Sequence, residues 1–310
     1  MDEARIKSTG EPVAGEDLWY SSPIEKDDFK CFHCTVSVTP CSYKKDINKK
    51  RPYFKLSKVG TEHDEGCPFH PQSTILKKAK ETRVSTEEGF PLPYPCKLSF
   101  PDPIKVKPNG KTVGIDSTKS IEAPPFYVAK GAARHRYTTN SFRSVVNHYL
   151  AFPYDRDADL EIEGIDCTSY YNAFIVLQQP NAEDSIVPIQ KGNKIYFSPM
   201  GWKNVVMSPG QMTITLSRGL WIEQAGKQHL QQSYYINIDI TTWPSKSIES
   251  LKFEVRKGLD DVKENKNKKL EVFFIGVQDT QGDPYCMKVS SHRKICIKVV
   301  DKLKKKKRTI

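Results

Sequence analysis

The pattern that most constrains this chain lies between Cys31 and His70. It reads CFHC, then a Lys/Arg-rich gap ending in RPYFKL, then HDEGCPFH. Thiol and imidazole groups recur there in two close pairs, Cys31/Cys34 and His63/Cys67. A C-x2-C pair can turn both sulfurs inward across one turn, and an H-x3-C pair does the same from the facing wall. That is how a chain offers four donors to one tetrahedral zinc ion. The expected ligands are Cys31, Cys34, His63 and Cys67, with Cys41 and His70 in reserve and His33 turned outward. Four protein ligands close the metal shell and leave no position for a catalytic water. The expected Zn2+ is therefore structural and stabilises a module too small to fold on its apolar core alone.

The rest of the composition sets limits around that module. The chain has 310 residues, of which 37% are apolar and 27% charged, so two or three domains and at least one core are expected. No apolar run approaches the ~20 residues of a membrane-spanning helix. The polar start, MDEARIKSTGEPVAGEDLWY, lacks the apolar centre of a signal peptide. The expectation is a cytoplasmic protein with no membrane partner. Its thiols are then reduced, and the clustered ones are better suited to a metal than to disulfides. Cys96, Cys167, Cys286 and Cys296 are scattered and read as ordinary free thiols. The formal charge of +11 favours an anionic partner.

The fold class expected is α+β: a small zinc-binding module, a short helical segment and a C-terminal, mainly antiparallel β domain. Residues 1–27 read as an N-terminal arm whose Leu18-Trp19-Tyr20 knot docks on the zinc module. Residues 28–72 form that module, with strands in TVSVTP and PYFKL. Residues 73–128 read as a Pro-rich linker or strap, because the prolines from Pro91 to Pro125 exclude long regular elements. An α+β domain spans 129–301, with helices within 138–178 and mostly strands over 185–301. In TTNSFRSVVNHYLAF one apolar face recurs at helical spacing, with Thr139 or Asn140 as N-cap. A second helix is expected in TSYYNAFIVLQQ and another in SKSIESLKFEVRKGLDDVKENKNK. Residues 302–310 form a basic tail.

CFHC…RPYFKL…HDEGCPFH resembles the zinc module at the start of CoiA-type bacterial competence proteins. It also resembles many uncharacterised proteins of bacterial defence and mobile-element loci. The stretch NSFRSVVNHYLAFPYDRDADLEIEG…TSYYNAF is similar to the centre of such proteins, where a helix precedes a Phe-Pro-x-Asp-Arg turn, here Phe152 to Arg156. The likeness covers the first 70 residues and the 135–180 region. It implies a zinc module and a bacterial defence or mobile-element setting, and it implies no particular activity.

Catalytic signatures are weak. In the strand-rich region the acid-x-Lys pairs fall in DVKENK, a polar loop, and FEVRKG gives Glu254-x-Arg. His292-x-Lys294 is single, and Asp155, Asp157 and Asp159 lack the glycine and final glutamate of a calcium loop. Basic patches are more informative. Lys44, Lys45, Lys49, Lys50 and Arg51 lie beside the zinc module with Tyr43 and Tyr53. Arg134 and Arg136 precede the first helix of the α+β domain, and Lys304, Lys305, Lys306, Lys307 and Arg308 form the tail. Cations bind phosphates, and interleaved aromatics can stack on bases. The function expected is non-catalytic nucleic-acid binding, with DNA ahead of RNA. The alternatives are a protein-interaction adaptor and a metal-dependent nuclease.

Overall fold

The structure, a computed structural model, describes residues 1–302 except 22, 45, 65–66, 68, 71–73, 88, 102–135, 181–185, 191 and 202–204. The fold is α+β, and most of its strand pairs are antiparallel. It divides into two compact units, Met1–Glu163 with Cys167–Asn172, and Gly164–Asp166 with everything from Ala173 onward.

The first unit begins with β1 (Glu3–Ile6) and β2 (Pro12–Ala14), a 3-10 turn over Gly15–Tyr20, and β3 (Phe29–Cys31). These strands form an antiparallel sheet in the order β2-β1-β3. Residues 1–27 are thus not an arm: β1 is the central strand, and Ala4 pairs directly with Cys31. Small apolar side chains make this possible, since Ala4, Ile6 and Val13 are all buried. The Leu18-Trp19 knot is buried as well, and Leu18 packs with Phe29, Val38 and Phe54. A hairpin follows, β4 (Val38–Cys41) with β5 (Tyr53–Leu56).

Next come α1 (Thr74–Ala79), β6 (Tyr94–Leu98), β7 (Arg136–Thr139), α2 (Phe142–Ala151), β8 (Glu161–Ile162) and α3 (Tyr170–Ala173). β6 lies between β7 and β8, and both pairings are parallel. The proline-rich stretch therefore contains a strand, and Pro95 sits inside it at a register shift, where a missing N–H is tolerated. The N-cap of α2 is Ser141, whose Oγ accepts from the Ser144 amide at 3.3 Å. Thr139 is occupied elsewhere. Its hydroxyl donates to Glu3 Oε2 at 2.7 Å, the Ser144 hydroxyl donates to the same oxygen at 3.0 Å, and the Asn140 amide donates to Oε1 at 3.1 Å. This carboxylate fastens β1 to the β7–α2 junction and keeps α2 in the first unit.

The second unit has β9 (Phe174–Val176), β10 (Ile195–Pro199), β11 (Val206–Ser208), β12 (Gln211–Gln224), β13 (Lys227–Asp239), α4 (Ser245–Glu264), β14 (Lys268–Ile275), β15 (Val277–Gln278), β16 (Cys286–Val289) and β17 (Ile295–Asp301). One sheet runs β17-β14-β10-β9 and the other β11-β12-β13-β16-β15. The expected helix in TSYYNAFIVLQQ stops after one turn. Its FIV segment becomes β9, parallel to β10, because its aromatic and β-branched side chains suit a sheet edge. SIVPIQ contributes no strand over its described residues 186–190. β14 is buried on both faces: Leu270, Val272 and Phe274 join the main core, and Phe273 stacks on Phe197 at 5.4 Å. α4 covers that core with Leu251, Val255, Leu259 and Val262. At Gly258 a Cβ would come within 2.3 Å of Leu270 Cδ1, so this position sets the closest approach of α4 to β14. The outer parts of β12 and β13, residues 219–233, pair only with each other among the described residues.

Glu3 supplies a test of the first unit. Burial raises its pKa from 4.5 to about 7, against the lowering effect of its three hydrogen bonds. The folded value lies above the unfolded one, so the group's contribution is complete below about 4.5 and is lost as pH rises through about 7. Relative to Glu3→Gln, the wild-type protein should lose about 3 kcal/mol across that window. Urea titrations of both proteins at a series of pH values measure this, and a pH-independent difference would contradict it.

Candidate metal centre

Two local turns bring the donor atoms together. Cys31 ends β3, and its amide donates to the Val36 carbonyl at 2.8 Å, closing the CFHC turn. The His33 amide points at Cys31 Sγ at 3.4 Å. On the other wall the Cys67 amide donates to the Asp64 carbonyl at 3.0 Å. Asp64 joins the walls, because its Oδ2 accepts from both the amide and the hydroxyl of Thr35, at 3.2 and 3.0 Å.

Cys31, Cys34, His63 and Cys67 converge there. One ligand atom from each lies within 4.8 Å of all the others. Cys31 and Cys67 sulfurs are 3.9 Å apart, and His63 Nδ1 is 3.4 Å from Cys34 Sγ and 3.5 Å from Cys67 Sγ. A tetrahedron with metal–sulfur bonds of ~2.3 Å and a metal–nitrogen bond of ~2.0 Å has edges of about 3.5–3.8 Å. The side chains are thus spaced for one ion at their centre. Three of the four are buried and Cys34 is partly so. Between the protein groups alone, a hydrogen bond from Cys67 lowers the Cys31 thiol, and the same bond with burial pushes Cys67 up. Burial also raises Cys34. A cation would draw these thiols into the thiolate form and release protons.

The reserves lie outside the group. Cys41 donates its thiol to the Thr39 carbonyl at 3.6 Å, and His70 faces Glu62 at 3.6 Å. His33 is not turned to solvent. It packs against Phe32, Tyr137 and Phe69, with ring centroids 5.0, 4.8 and 5.4 Å away. Nothing in the residue's own spacing signals that cluster, because Tyr137 is distant in sequence.

The expected basic patches fare differently. Lys44, Lys49 and Lys50 are exposed on the β4–β5 loop. That loop is closed locally: the Ile47 and Asn48 amides donate to the Lys44 carbonyl, and Asn48 Oδ1 accepts from the Lys44 amide at 3.1 Å. Arg51 is turned inward and ion-paired with Glu16, so its charge is already neutralised. Gly15 abuts the next residue, where a Cβ would meet the Pro52 carbonyl oxygen at 2.3 Å. Arg136 pairs with Asp159 at 2.6 Å. Lys45, Arg134, Lys304, Lys305, Lys306, Lys307 and Arg308 lie outside the described residues.

The acidic connector is also committed to structure. Asp155 is buried and accepts from the Val84 and Ser85 amides, while Asp157 pairs with Arg83 at 2.5 Å. His292 and Lys294 lie in a 3-10 turn before β17 rather than on the strand, and His292 packs edge-on to Trp243 at 5.6 Å. Among the described residues no helix is long and apolar enough to cross a membrane.

Cys34→Ser should abolish stoichiometric metal content, and Cys41→Ser should leave it unchanged. Elemental analysis of the purified proteins decides this. Equal metal in both would mean that Cys34 is not a ligand.

No protein-family model matches the chain, and no curated protein or solved structure does so either. The chemistry of its own residues therefore carries the functional reading.

Proposed function

We propose that this chain is a nucleic-acid-binding protein without catalysis of its own, with DNA ahead of RNA as its ligand, built on a structural zinc site. Three thiols and one imidazole make a donor set suited to zinc, and four protein ligands fill a tetrahedral shell. Zinc there would lock the CFHC turn to the His63–Cys67 turn. The observation that carries the binding reading is the exposed lysine set, Lys44, Lys49 and Lys50, on a closed loop of the same unit. Its ends are the paired strands β4 and β5, and its exit is held by Gly15 and Glu16. Beside it lies a cleft of about 400 Å³ whose lining includes the partly exposed Tyr43, Lys44, Asp46 and Ile47. Lysines supply phosphate contacts through counterion release, and the Tyr43 ring gives a base a stacking surface. The overall charge of +11 adds sequence-independent attraction. The bacterial mobile-element or defence setting rests on the resemblance of the Cys31–His70 stretch.

One observation favours an adaptor instead: Ile47, at the tip of the same loop, is 69% exposed, as an anchor for a protein partner would be. A nuclease has less support. Asp155 and Asp157 share Arg83, Asp155 also accepts from the Val84 amide, and Asp159 pairs with Arg136, so all three are engaged in structural contacts. Among the described residues, the Cys/His group is the one set of three or more side chains spaced to share a metal.

Fluorescence anisotropy with a labelled oligonucleotide over a range of KCl concentrations tests the reading. Affinity should fall as salt rises. Replacing Lys44, Lys49 and Lys50 by Ala should weaken binding and flatten the log–log salt slope by about 2, at about 0.7–0.9 per lost phosphate contact. Absence of salt-dependent affinity at low salt for any DNA or RNA would sink the proposal. A complex that survives nuclease and high salt would favour the adaptor.

A further inference from the structure

The first unit encloses a cavity of about 150 Å³ beside the metal centre. Its walls differ in chemistry. One is aromatic and includes Phe32, Phe69 and Tyr137, with Phe69 42% exposed on the solvent side. The other carries Asp2, Glu3 and Asn147. Among the described residues no lysine or arginine lines it. Asp2 accepts one bond, from Asn147 Nδ2 at 3.0 Å, so lone pairs remain on its carboxylate. His148 also lines the cavity. It is 7% exposed, and its Nε2 has no hydrogen-bond partner among the described residues.

We propose that this cavity binds a small organic ammonium group, held by cation–π contact with the aromatic wall and by charge from Asp2. The proposal stands apart from the nucleic-acid reading, and a phosphate would be repelled from this site. The Asp2 carboxylate, at a partly enclosed site whose described lining has no lysine or arginine, favours a cation. Aromatic faces add attraction that strengthens where water is excluded. The unit already shows such a contact, for Arg5 places its guanidinium 4.4 Å from the centre of the Phe32 ring. Burial holds the His148 pKa down to about 3, so its imidazole is neutral. It can offer a lone pair to an ammonium N–H and adds no opposing charge. A wholly apolar guest would desolvate the Asp2 carboxylate, which has one hydrogen bond from Asn147, without supplying a counter-charge. The volume suits one compact group, since an apolar cavity near ~150 Å³ takes a single ring. A free methylated amine and a methylated lysine side chain present the same head group.

The test titrates the full, metal-loaded chain with trimethylammonium, followed by ligand-observed NMR. tert-Butanol serves as a neutral shape analogue, and a peptide carrying dimethyllysine represents a protein source. The expected result is saturable trimethylammonium binding at least tenfold tighter than tert-butanol. Ala151→Leu, which fills the cavity from α2 without changing charge, should abolish it. Asp2→Asn should weaken it about tenfold, the size of a cation–π or charge contact. Peptide binding as tight as the amine assigns the site to a protein side chain, and amine binding alone assigns it to a free amine. Equal binding of tert-butanol or unchanged affinity in Ala151→Leu overturns the proposal. If Ala151→Leu does not fold, Asp2→Asn decides: unchanged affinity there overturns it as well.

Discussion

Four donor atoms from two separate turns must meet at one point, and the first unit is arranged to satisfy that demand. Cys31 is fixed by its place in a sheet, at the end of β3 and opposite Ala4. Among the described residues, His63 and Cys67 lie in neither helix nor strand. A metal ion would therefore hold most firmly the part of the unit that strand pairing holds least. Asp64 reinforces the same junction by accepting two bonds from Thr35. Packing, hydrogen bonding and coordination all act on one seam.

The second fastening is a carboxyl group. Glu3 gathers a hydroxyl from β7, another from α2 and an amide between them. A buried carboxyl is costly unless such donors surround it. Here it links the first strand of the chain to a helix far along it, and the same strand pairs with the ligand-bearing β3. Distortion of β1 would therefore reach both the metal donors and the α2 N-terminus. Each position on this short strand has a structural duty, which its bland sequence, EARI, does not reveal.

The sequence made local chemistry legible and left pairing hidden. Close spacing marked the four donors, and helical periodicity marked α2, because both signals are contained within a few residues. Strand-forming side chains marked β10, β12, β13, β14, β16 and β17 for the same reason. The role of residues 1–27 was not visible, since Ala4 and Ile6 become core only when β2 and β3 lie on either side. The end of α3 was missed because Phe174, Ile175 and Val176 suit either structure, and the neighbour β10 decides between them. Arg51 looked like a phosphate ligand and proved to be the partner of Glu16. A charged residue's role depends on what stands opposite it, and periodicity carries no such information. The two walls of the cavity likewise come from segments far apart in the chain, so no short stretch announces it.

The outer half of the β12–β13 ribbon has a different consequence. Over residues 219–233 the two strands have no further ladder partner among the described residues, and the turn at Ala225 and Gly226 places both residues at positive φ, 54° and 71°. A two-stranded ribbon without a third strand is marginally stable by itself. This half should exchange its amide hydrogens by local opening, well before the inner half, where β11 and β16 add ladder bonds. The same strands thus combine a base flanked by further strands with an outer part held by its own ladder and by Leu220 in the core, and Trp221, 36% exposed, lies in that outer part.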